Sequence, residues 1–85
     1  PRISEFFGIV ITMYYNDHAP PHFHARYGEH EGQVVIDSLE LLSGSLPPRA
    51  LALVRDWAKV HRQGLHSNWS AARRGAALVQ IPGLE

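Results

Sequence analysis

FFGIVITMYYNDHAPPHFHARYG, from Phe6 to Gly28, is the stretch that decides how this chain folds. Its first ten residues, 6–15, are rich in β-branched and aromatic types, which fit a pleated surface better than a helix. Both alternating faces are apolar, with Ile9, Ile11 and Met13 on one and Val10, Thr12 and Tyr14 on the other. That pattern predicts a central strand. Gly8 marks a bulge or bend near its start. Asn16 to Pro21 reads as a turn, because Asn and Asp bond their own backbone and proline fixes φ. HFHARY at 22–27 predicts a second strand, placing Phe23, Ala25 and Tyr27 on one face and His22, His24 and Arg26 on the other.

Beyond it, Gly28 to Gly32 closes a hairpin into a third strand, QVVID at 33–37. A tight turn near Asp37 and Ser38 leads to a fourth strand at 39–42. SGSLPP is then a loop ending in helix-start chemistry, since proline suits the first helical turn. From Pro48 to Gln63 the apolar positions Leu53, Val54, Trp57, Ala58 and Val60 recur at helical spacing, and Gly64 falls where a left-handed C-cap would sit. Ser67 or Asn68 can cap a short second helix from Trp69 to Arg74, stopped by Gly75. LVQI at 78–81 has the composition of a last short strand. Strands first and helices after predict one α+β domain over residues 1–85. Its small antiparallel sheet of about four strands carries two helices packed on one face.

The composition limits what such a domain does. A chain of 85 residues is stable by roughly 4–13 kcal/mol. There is no cysteine, which excludes disulfides and thiolate metal sites. No apolar run approaches the ~20 residues of a membrane span, and no basic-then-apolar leader opens the chain. The expected compartment is the cytoplasm, and an initiator methionine before Pro1 would normally be removed. Net charge is zero, which argues against indiscriminate nucleic-acid binding. The halves differ, however: residues 1–45 carry two basic against six acidic side chains, and residues 46–85 reverse those numbers. Such asymmetry gives either a basic face for an acidic partner or two halves that attract each other.

Three of the six histidines, His18, His22 and His24, fall around the Pro20–Pro21 pair. On a strand His22 and His24 share a face ~7 Å apart along the chain, and the proline turn can fold His18 back toward them. With Asp17 as a hard oxygen ligand, the set suits a divalent metal: three histidines with an open position suit zinc, and two histidines with a carboxylate suit iron or manganese. A metal-free reading is equally available. Two imidazoles can act as general base and general acid, with Arg26 holding a phosphate and Tyr14 or Tyr15 adding a hydroxyl, the equipment of a ribonuclease. The plainer alternative is a turn lock, each histidine bonded to a backbone carbonyl or to Asp17 or Glu29. Arg55, Lys59 and Arg62 align as a stripe on the first helix that can bind RNA phosphates or simply face solvent.

With these residues in view, the sequence resembles a prokaryotic family known as domain of unknown function 4160. The resemblance covers nearly the whole chain. It is most specific over FFGIVITMYYNDHAPPHFHARYG, and LPPRALALVRDW with His61 and Trp69 is similar to the family's helical half. Genes of that family often neighbour a second small family, domain of unknown function 2442, in what looks like a toxin–antitoxin arrangement. The resemblance therefore implies a small cytoplasmic component of a two-gene module that binds a protein partner and acts on RNA. The other reading is a non-enzymatic interaction or metal-binding module.

Overall fold

The computed structural model describes all 85 residues. Five strands come first, β1 (Arg2–Phe6), β2 (Ile9–Thr12), β3 (His22–Tyr27), β4 (His30–Val35) and β5 (Leu41–Gly44), followed by α1 (Pro48–Val60) and α2 (Arg62–Arg73). The sheet is an antiparallel meander in chain order, so β2, β3 and β4 are interior and β1 and β5 are edges. The α+β expectation holds, with one strand more than expected.

The extra strand comes from the opening stretch. Residues 6–15 are not one strand: a hairpin turns at Phe7 and Gly8, whose φ values are +50° and +78°. Two consecutive positive φ angles are what a two-residue type I′ turn requires. Glycine adopts that conformation freely, whereas phenylalanine does so at a cost of ~1–3 kcal/mol. The third and fourth strands are also displaced from 33–37 and 39–42 to His30–Val35 and Leu41–Gly44. β4 starts early because the β3–β4 turn takes only Gly28 and Glu29 and pairs Tyr27 with His30, and β5 starts late because residues 36–40, with Leu39 at φ +61°, form the turn before it.

Alternation then sorts the side chains. Ile9, Ile11, Phe23, Ala25 and Val34 lie on one face and meet Ala50, Val54, Trp57, Ala58 and Leu65 in a single core. Trp57 lies at its centre, with ring centroids 5.3 Å from Phe6 and 5.8 Å from Phe23. Its indole Nε1 donates to the Pro82 carbonyl at 2.8 Å.

The helical half differs in where it breaks. α1 ends at Val60 rather than Gln63, and α2 already begins at Arg62, with Gly64 inside it. The interruption is the single residue His61, whose N–H is shared between the Trp57 and Ala58 carbonyls. The buried positions Ala50, Val54, Trp57 and Ala58 of α1 and Leu65, Asn68, Trp69 and Ala72 of α2 recur at helical spacing, with seven residues, two helical turns, from Ala58 to Leu65 across the break. That continuous stripe outweighs the ~1 kcal/mol that an interior glycine costs a helix.

The 78–81 segment is extended but is not a strand. It is strapped down instead. The Asn68 amide donates to the Val79 carbonyl and accepts from its N–H, both at 2.8 Å, and Ile81 N–H donates to the Ile3 carbonyl. This tail runs beside the β1 edge.

Candidate metal centre

His22 and His24 share a face of β3, as alternation requires, yet both are buried, at 4% and 8% exposure. The chain from Met13 to Pro21 folds back over that end of the strand. Tyr14 places its ring edge-on against His24, centroids 4.7 Å apart, and Trp69 of α2 lies 5.3 Å from the His22 ring. The same fold-back brings Asp17 in between. Its Oδ2 is 2.9 Å from His24 Nε2 and 3.2 Å from His22 Nε2.

The far sides of the two rings are held as well. His22 Nδ1 lies 2.8 Å from the Pro20 carbonyl oxygen, and His24 Nδ1 lies 3.1 Å from Glu31 Oε2. A neutral imidazole carries one N–H and one lone pair. Here both nitrogens of both rings face oxygen acceptors. If each Nδ1–H donates outward, the two Nε2 lone pairs point inward at a carboxylate oxygen. That inward focus is satisfied by protons on both rings or by a cation among the three atoms.

The three donor atoms all lie within 4.8 Å of one another. Ligand bonds of ~2.0–2.1 Å set tetrahedral donor atoms ~3.3 Å apart, so 2.9 and 3.2 Å already approach coordination spacing. Histidine ligands commonly give their second N–H to a backbone carbonyl or a carboxylate, which fixes ring orientation and raises basicity. The Pro20 carbonyl and Glu31 occupy those two places. Two imidazoles and one carboxylate suit zinc or another divalent first-row ion and leave a coordination position for water.

Of the other residues singled out in the sequence, His18 is exposed on the loop and lies outside this group. Arg26 is exposed on the histidine face, paired in register with Glu31 and Val10. Tyr15 is exposed too. Glu31 had no place in the expected site, although the two-residue turn at Gly28–Glu29 sets it diagonally across from His24. Neither His22 nor His24 lines either of the molecule's two cavities, and both are buried while Asp17 is partly exposed.

The basic stripe is partly tied into the fold. Arg55 Nε donates to the Leu39 carbonyl at 2.8 Å and Arg62 Nε to the Ile36 carbonyl at 3.2 Å. Together they hold the β4–β5 turn, where Leu39 has φ +61°. His66 adds a 2.6 Å contact to Asp37 in the same turn. Lys59 alone of the three stripe residues is exposed; Arg55 and Arg62 are half-buried.

A meandering antiparallel sheet under two helices, with a two-histidine, one-carboxylate group beneath a folded-back loop, defines a small α+β module with a candidate metal centre. The family model described as Domain of unknown function (DUF4160) matches residues 8–70, and the chain belongs to that family. No curated protein and no solved structure matches the chain. No helix is long and apolar enough to cross a membrane.

Proposed function

We propose that this protein is a metal-binding interaction module. Asp17, His22 and His24 hold a divalent first-row ion that fastens the 13–21 loop to the sheet. The observation that carries this reading is the aim of both Nε2 atoms at one Asp17 oxygen, with both Nδ1 atoms held from behind. The burial of both imidazoles supports a fastening ion over an open catalytic one. In this reading the protein is the cytoplasmic member of a prokaryotic two-gene, toxin–antitoxin-like module, as the family resemblance implies. Its partner is the product of the neighbouring gene, of the domain of unknown function 2442 family. The ribonuclease reading requires RNA to reach imidazoles that are more than nine-tenths buried, and it serves as the contrasting outcome.

The test is metal content and coordination. Protein refolded with zinc or cobalt(II) should carry one ion per chain, with the intense visible absorption of tetrahedral cobalt. His22→Ala, His24→Ala and Asp17→Asn should lose it, and His18→Ala should keep it. Ion at a hundredfold excess over its Kd adds ~2.7 kcal/mol, which for a domain of this size raises Tm by about 10–20 °C. Affinity should fall as pH is lowered, because imidazole ligands must give up a proton to bind. Folded wild-type protein that binds no divalent ion would overturn the reading. Co-expression with the neighbouring gene product separates the two functions. RNA cleavage by the wild type that a folded His22→Ala variant lacks would establish the nuclease instead.

A further inference from the structure

The larger cavity, about 430 Å³, lies away from the histidines, between the Phe7–Gly8 turn and the first turn of α1. Its size falls within the ~300–1,000 Å³ of ligand-binding clefts. Phe7, Ile9, Tyr27, Ala50 and Leu53 supply an apolar wall, and Arg49 is the only charged residue lining it. Phe7 is 60% exposed and Tyr27 42%, so two aromatic side chains flank the opening.

Two features of this groove point to an occupant. Phe7 holds a left-handed backbone conformation, φ +50°, while presenting its ring outward. Asparagine or glycine would make the same turn with less strain, and strain kept at an exposed aromatic marks a contact residue. The second feature is unbalanced positive charge. α1 begins at Pro47–Pro48 with no side-chain cap and no acidic residue in its first turn, leaving the positive helix end and its free N–H groups unanswered. Arg49 stands in that turn unpaired, the one arginine–carboxylate pair of the molecule being Arg2 with Glu5.

We infer that this groove docks a peptide segment of a partner protein, one that places an aromatic or aliphatic side chain against Phe7 and Tyr27 and an adjacent carboxylate on Arg49. An apolar wall with a single cation matches an acidic–apolar peptide. It does not match a nucleic acid, whose backbone asks for a row of cations. The inference deepens the interaction-module reading. Its test leaves the ion centre intact, so either can fail alone.

The probes are two acetylated, amidated tripeptides, phenylalanyl-leucyl-glutamate and phenylalanyl-leucyl-lysine, titrated into ¹⁵N-labelled, zinc-treated protein, with metal content measured in parallel. The glutamate peptide should shift the amides of Phe7, Tyr27 and Ala50 and bind at least about tenfold more tightly than the lysine peptide, a difference of ~1.4 kcal/mol. Arg49→Glu should reverse that order. Phe7→Asn should abolish binding without lowering Tm, because asparagine suits the turn. Equal binding of the two peptides, shifts confined to other surfaces, or octanoate competing as well as the glutamate peptide would overturn the inference. So would a concentration-dependent dimer that Phe7→Asn dissolves, since the groove would then serve a second copy of the chain.

Discussion

Replacing Trp57 with alanine should bring this protein close to unfolding, and the size of the effect follows from what the ring touches. It is fully buried between Phe6 and Phe23 of the sheet, lies tilted with its ring centroid 5.6 Å from that of His61 at the helix break, and donates to the Pro82 carbonyl. Truncating a buried tryptophan costs ~3–5 kcal/mol, and the lost hydrogen bond adds ~0.5–1.5 kcal/mol. The sum, ~3.5–6.5 kcal/mol, is set against a total of roughly 4–13 kcal/mol for a chain of this length. Urea unfolding followed by far-ultraviolet circular dichroism reads the loss directly. Trp57→Phe is the control: it keeps most of the apolar area, gives up the bond to Pro82, and should lose no more than about half as much. A Trp57→Ala variant within ~1 kcal/mol of the wild type would refute the assignment of the helix face and of the core built on it.

Other substitutions probe other parts of the argument. Ser4 Oγ is buried with no hydrogen-bond partner, and an unmet buried hydroxyl is a net cost of ~1–3 kcal/mol. Ser4→Ala should therefore be neutral or stabilising in the same urea assay. Arg55→Ala and Arg62→Ala should each lose ~1.5–3 kcal/mol by releasing the β4–β5 turn, while Lys59→Ala stays within ~0.5 kcal/mol. If Lys59→Ala instead flattens the salt dependence of RNA binding by about one unit, the stripe contacts phosphate. Gly44→Ala should destabilise strongly, because φ there is +77° and a Cβ would fall against the Glu31 carbonyl oxygen. Wild-type stability in that variant would mean that β4 and β5 do not approach as described.

Where the sequence could be read, and where it misled, comes down to which signals compete locally. Alternation in HFHARY puts Phe23, Ala25 and Tyr27 on one face and His22, His24 and Arg26 on the other; the structure keeps those faces, with Phe23 and Ala25 in the core and Tyr27 exposed at the strand's end. The hairpin at Phe7–Gly8 was hidden because phenylalanine occupies a position where Asn or Asp normally announces the turn. An unbroken apolar run then looked like one strand. Gly64 misleads in the opposite sense: a glycine at that point signals a stop, while the buried stripe runs on past it. At the site, His22 and His24 follow from strand geometry alone. The path of the loop decides the rest, carrying Asp17 inward and leaving His18 in solvent. Glu31 was legible in principle, since a two-residue turn fixes its register against Arg26 and hence its diagonal to His24.

The strapped tail has a consequence for how the molecule fails. Gln80 Nε2 donates to the Arg2 carbonyl across 78 positions of sequence, and Ile81 N–H reaches the Ile3 carbonyl beside it. Closing a loop of that length in an unfolded chain costs ~4 kcal/mol by its logarithmic dependence on length, which a few hydrogen bonds scarcely offset. The tail therefore docks after the sheet and helices have shortened the gap, and burial of Ile81 in the core then adds to its hydrogen bonds. Any detachment of the tail uncovers the Arg2 and Ile3 carbonyls on an edge strand, a ready template for another chain. Self-association through β1 should follow wherever the tail detaches, and added covalent length after Glu85 should hasten it.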